Sequence, residues 1–155
     1  MKKNLKKPKV GIKTEWVPVE EMPITPDGIK EIAIDLETKD PRLKTHGPGW
    51  PTGNGDVVGI AIAYEGFNSY FPFGHEGGGN LDRRHVIKWF KKEIAAYPCD
   101  KIFYNASYDV GWLRRLGIKV AGRLIDAMIA APLIDENRQA YSLNAVAYEY
   151  LGEMK

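Results

Sequence analysis

The sequence predicts an α/β protein built on a mixed β-sheet, with its first three strands antiparallel, its fourth parallel, and helices flanking it. Three observations predict this. Strand-like runs at 31–37, 56–64 and 69–73 follow one another with only loops or turns between them. A stretch of helical periodicity, LDRRHVIKWFKKEIAAY, comes next and leads into KIFY at 101–104, so the fourth strand is reached by a crossover helix. From Asn105 onward the chain reads as helices.

Residues 1–28, with Pro8, Pro18, Pro23 and Pro26, read as a basic lead-in, and 29–155 as the domain proper. The first strand alternates Ile32, Ala33 and Ile34 and ends on acids. KDPRLKTHGPGWPTGNGD (39–56) is a long Gly- and Pro-rich loop, and loops of that length in a compact domain are often functional. DVVGIAIAY tolerates apolar residues on both faces, as a buried strand does. EGFN turns the chain into SYFPF, where Pro72 indicates an edge or a strand end. Asp82 suits an N-cap, apolar residues 86, 87, 90 and 94 follow at helical spacing, and Pro98 ends the helix. NASYDVGWLRRLG predicts a helix capped by Asn105, with Val110, Leu113 and Leu116 inward and Gly117 as its stop. A segment from Asp126 to about Asp135 reads as helical despite Pro132, and Ser142 caps a last helix ending at Gly152.

At 155 residues and 44% hydrophobic content, with four Trp, the chain suits one folded domain. Its 22 basic and 20 acidic residues leave a net charge of +2, which neither requires nor excludes a nucleic-acid partner. Lys2, Lys3, Lys6, Lys7 and Lys9 crowd the N-terminus and read as a solvated arm, with phosphate contact as the lesser alternative. Cys99 is the sole cysteine, so neither an intrachain disulfide nor a cysteine zinc site can form. No apolar run approaches the ~20 residues of a membrane span, and no apolar stretch follows the basic N-terminus as in a secretory signal. The consistent setting is a reducing cytoplasm, with no membrane partner.

Asp35 and Glu37 end the first strand two residues apart, so they point to one face. Two anions so placed either lie solvated at a strand end or share a divalent cation with oxygen ligands. Asn105 and Asp109 lie one helical turn apart just after the fourth strand, at a helix end suited to anions. If the fourth strand lies beside the first, Asp109 approaches Asp35 and Glu37, and three acids form a hard-cation site for Mg2+ or Mn2+. Other features read blandly. His75 in FGHEGGG suits a turn-stabilising loop histidine more than a metal ligand, and Trp89 with its lysines suits core packing beside a solvated edge. Arg114 and Arg115 stand about two turns past Asn105, with phosphate contact as the lesser reading.

IDLET, carrying Asp35 and Glu37, resembles the first motif of the DEDD-type 3′–5′ exonucleases, and NASYD, carrying Asn105 and Asp109, resembles the second. GDVVGIAIAYEG, YFPFGH and LIDAMIAAPLIDENRQAYSLNAVAYEYLG are similar to connecting segments of the proofreading domains of DNA polymerase I-like (family A) enzymes, bacteriophage ones included. The likeness covers roughly residues 30–152. It implies an RNase H-like fold and two-metal hydrolysis of phosphodiesters at a single-stranded DNA 3′ end. By the same resemblance Asp35 bridges two Mg2+ or Mn2+ ions, Glu37 binds the nucleophile-side ion and Asp109 the second. Thr38, Asn105 and Tyr108 contact the terminal nucleotide or strand. For a phage-encoded chain the setting becomes the host cytoplasm.

The family's third motif, a Tyr or His followed by an Asp, is not found. Tyr141, Tyr148 and Tyr150 are followed four residues later by Ala145, Gly152 and Met154. Asp126 fits the ordinary segment after the second motif, as a helix cap. The domain is therefore expected to be C-terminally incomplete and weak or inactive as a nuclease. Three settings remain open: a piece of a longer polymerase, one part of a split polymerase completed by a partner chain, or a catalytically silent module that binds single strands or another protein.

Overall fold

The computed structural model describes residues 19, 21–77 and 79–152. The N-terminal lysines lie outside the described residues. Five strands form one sheet in the order β3-β2-β1-β4-β5. The hairpin strands are β1 (Glu31–Lys39), β2 (Asp56–Tyr64) and β3 (Phe67–Pro72), paired antiparallel. Then β4 (Asp100–Phe103) pairs parallel to β1, and β5 (Leu124–Asp126) parallel to β4. The expected antiparallel and parallel strands are all present, and Pro72 ends an edge strand. The fifth strand is new: LID is three residues long and directly precedes a helix, so it carries no periodicity of its own.

Pairing register separates the two faces of the sheet. Ile34 faces Ile62, Leu36 faces Ile60, and Ile60 faces Phe71, all buried. Against this side pack α2 (Arg83–Trp89), a π-helical turn (Phe90–Ala95) and α3 (Ala106–Arg115), through Val86, Phe90, Ile94, Trp112 and Leu113. Trp89 is core, its ring 4.5 Å from Phe71 and its Nε1–H donating to Pro23 O at 2.7 Å. Thr25 Oγ1 donates to Glu93 O at 3.0 Å, so described residues before 29 pack on the same side. Asp82 caps α2 through His85 N, as expected.

The opposite face carries Ala33, Asp35 and Glu37, and register places Ala63, Ala61 and Gly59 beside them. These small residues leave a cavity of about 460 Å³ above the sheet, flanked by Ala127 and Leu143. Those two belong to α4 (Ala127–Ile134) and α5 (Leu143–Leu151). Ser142 caps α5 through Ala145 N at 3.3 Å, and Gly152 closes it in the left-handed region, φ 70°. The 39–56 loop contains one short helix, α1 (Leu43–His46).

Candidate active site

The residues singled out by the sequence lie toward the end of β1 and on the first turn after β4. Asp35 is half-buried and Glu37 exposed on the same face of β1. Beside Glu37 the β1–β2 register slips, Glu37 facing Gly59 and Thr38 facing Val57. Such an irregularity re-aims side chains at a strand end. Because β4 pairs only with Glu31–Ala33, the later amides of β1 lack a strand partner on that side. Asp109, buried on the first turn of α3, supplies one: its Oδ1 accepts from Leu36 N at 3.1 Å. The second motif is thereby tied to the peptide between the two acids of the first.

Thr38 and Tyr108 also meet. Their hydroxyls hydrogen-bond at 2.7 Å, and the Tyr108 hydroxyl donates to Asp40 Oδ2 at 3.2 Å. The same Asp40 oxygen accepts from Gly49 N at 2.8 Å, which fastens the long loop to α3. Burial raises the Tyr108 phenol above its ordinary pKa.

Asn105 requires a correction. It stands at the N-cap position, but its side chain caps nothing, and its backbone is left-handed, φ 71° and ψ 58°. Asn is among the few residues that adopt this conformation readily. The cap comes from Asp126 on β5. One carboxylate oxygen accepts from Asn105 N and Met128 N, both at 3.0 Å, and the other from Ala106 N at 2.8 Å. Asp126 does cap its own helix, as expected, and it holds the start of α3 besides. Parallel pairing of β5 to β4, which sequence spacing does not display, brings it there.

Trp50, Leu43, Pro48 and the Asn105–Tyr108 turn line a second cavity of about 410 Å³ on the loop side. Trp50 reaches α3 because position 111 is glycine: a Cβ there would lie 2.4–2.6 Å from the indole. Gly111→Ala is therefore expected to destabilise the domain by about 1–3 kcal/mol through overpacking, against a gain of only ~1 kcal/mol in helix propensity. Urea unfolding measures the balance, and an unchanged or higher stability would show that Trp50 moves aside without cost. His75 bonds to the Tyr70 hydroxyl and is fixed by Asn80. Arg114 and Arg115 are both exposed.

Carboxylate oxygens are the donors a hard cation takes. Among the described residues, however, no three His, Cys, Asp or Glu side chains gather into a group that could hold a metal ion. Asp35, Glu37 and Asp109 fit such an ion by donor type alone.

A profile described as 3′–5′ exonuclease matches residues 18–155. The chain belongs to this family. It is the 3′–5′ exonuclease domain found in DNA polymerase I-like proteins, an α/β nuclease fold. The DNA-directed DNA polymerase of Pseudomonas phage M6 is 38% identical over 125 residues, which are 78% of this chain and 19% of that protein. DNA polymerase I of Borreliella burgdorferi is 30% identical over 123 residues, 79% of this chain and 12% of the relative. The chain thus spans less than a fifth of either. RNase D of Trypanosoma brucei shares the fold at TM-score 0.58 and 19% identity, over 83% of this chain and 42% of that one. Brucella melitensis NrnC, solved with bound Mg2+, shares it at TM-score 0.55 and 15% identity, over 83% and 56%. Exonuclease domains of this family are generally divalent-metal dependent. No helix among the described residues is long and apolar enough to cross a membrane.

Proposed function

We propose that this domain hydrolyses phosphodiesters at single-stranded DNA 3′ ends, in proofreading beside a polymerase domain carried in the same chain or in a partner. The observation that carries this reading is the Asp109–Leu36 amide bond, which joins the two acid motifs at one strand end. Asp35, Glu37 and Asp109 would hold Mg2+ or Mn2+; when bound, such ions lower the pKa of water and stabilise charge on the attacking and leaving oxygens. Asn105 and Tyr108 would contact the terminal nucleotide, and Thr38 the backbone of the strand. The Tyr108 hydroxyl, already bonded to Thr38 and Asp40, presents its ring from a fixed position.

The described acids supply part of a donor set, so the chain alone is a poor nuclease. The measurement is Mn2+-dependent degradation of a 3′-labelled single strand, beside Asp35→Ala. Trace or no cutting by the wild-type chain is expected, and robust cutting that Asp35→Ala abolishes would refute the incomplete-site account. The lack of a three-acid group among the described residues favours a second reading, a silent single-strand-binding or protein-interaction module on the same fold. Calorimetric titration with Mn2+ separates them: the nuclease reading requires uptake that responds to all three acids, the module reading none.

A further inference from the structure

A tyrosine and a histidine outside both acid motifs converge on the acid face. Register sets Asp35 against Ala61 and Ala61 against Tyr70, so Tyr70 stands on the acids' side of the sheet with one small residue between. Its ring leans along β2: a Cβ on Gly59 would lie 2.0 Å from the Tyr70 hydroxyl oxygen. The hydroxyl therefore sits over Gly59, the residue opposite Glu37. Glycine is required there by contact, since Gly59 has no unusual backbone angle. The hydroxyl is hydrogen-bonded to His75 Nε2. His75 is held in turn by a reciprocal pair: its amide donates to Asn80 Oδ1 at 2.8 Å, and Asn80 Nδ2 donates to its carbonyl at 2.7 Å.

We propose that Tyr70 is a positioning residue for the acid pair, its hydroxyl proton directed to the Asp35 and Glu37 carboxylates while His75 Nε2–H donates to its oxygen. The inference rests on Asp35 and Glu37 being the reactive carboxylates. A phenol has one proton to give. It can point to the imidazole or to the acids, and two negative charges on one side favour the second. A phenol is neutral at ordinary pH, so the proton stays on the oxygen. The oxygen then accepts from His75, which fixes that ring as the Nε2–H tautomer. A neutral donor supported this way orients the exposed Glu37 without cancelling its charge, as partners of metal-binding carboxylates do.

The test is 15N NMR of the histidine rings in the full chain, which has three histidines to resolve. Nε2 of His75 is expected to be protonated in the wild type. In an Asp35→Asn/Glu37→Gln variant the hydroxyl loses its anionic partners and turns to His75, whose ring switches to Nδ1–H. In Tyr70→Phe the same neutralisation leaves His75 unchanged. An Nδ1–H wild type, or a ring indifferent to the acids, overturns the proposal. Mn2+ calorimetry adds a second arm. Tyr70→Phe should bind about tenfold more weakly, and His75→Gln, which keeps a donor, should bind better than His75→Ala; equal affinities throughout count against positioning. If the wild type takes up no Mn2+, the metal reading of the acids falls, while the His75 tautomer still decides the role of Tyr70.

Discussion

Lys101→Met is expected to lower stability by about 2–4 kcal/mol. Lys101 lies on β4 and is fully buried, yet among the described residues no carboxylate accepts from its side chain. Its Nζ donates instead to three carbonyls: Tyr97 O at 2.6 Å, and Cys99 O and Ala121 O at 3.1 Å each. Three protons meet three acceptors, and the side chain ties the turn before β4 to the turn before β5. The Tyr97 carbonyl also accepts from Cys99 N, so it keeps a partner after substitution. The loss falls on Cys99 O and Ala121 O, at roughly 1–3 kcal/mol per unmade buried bond. Methionine fills most of the volume, so the effect reads out hydrogen bonding more than a cavity. For a domain of this size it corresponds to a drop of roughly 5–15 °C in Tm. Urea unfolding of both proteins checks it, and a difference under about 1 kcal/mol would show that the carbonyls find other donors.

Asp126→Ala is expected to cost a comparable amount, about 2–4 kcal/mol, since it removes two helix caps of up to ~2 kcal/mol each. One carboxylate serves the first amides of α3 and the second residue of α4. Charged acceptors at helix N-termini are the stronger kind of cap. The consequence reaches the candidate site, because Asn105 and Tyr108 sit on the turn that Asp126 holds. Hydrogen exchange gives the specific signature: the Asn105, Ala106 and Met128 amides should all lose protection. If Met128 alone does, Asp126 caps only its own helix.

The sequence was most legible where the determinants are local. DVVGIAIAY gave the bounds of β2, Asp56–Tyr64, without error. Asp82 and Ser142 cap where an acceptor before an apolar period should. Pro72 marks the edge strand. The acid motifs were readable because period two places Asp35 and Glu37 on one face of β1, and one helical turn separates Asn105 from Asp109. Asn105 shows the limit of local reading. A good capping residue at the right place yields the cap when a better acceptor arrives from a distant strand, and its left-handed backbone follows instead.

What the sequence by itself determined is the order and type of the main elements, the nuclease family, and the acids that define its motifs. The elements follow from periodicity and turn chemistry, which act over a few residues, and the family from the likeness of its short motifs to known ones. Only the tertiary structure decided the fifth strand, the service of Asp126 to two helices, the burial of Lys101 among carbonyls, and the meeting of Thr38 with Tyr108. Each of those needs partners far apart in the chain, at separations of 20 residues for Ala121 and Lys101 and 70 for Thr38 and Tyr108. Pairing register has no local signature, since it is the sheet as a whole that selects it. The same register brings Tyr70 to the acids across an alanine and a glycine that, read alone, are merely small.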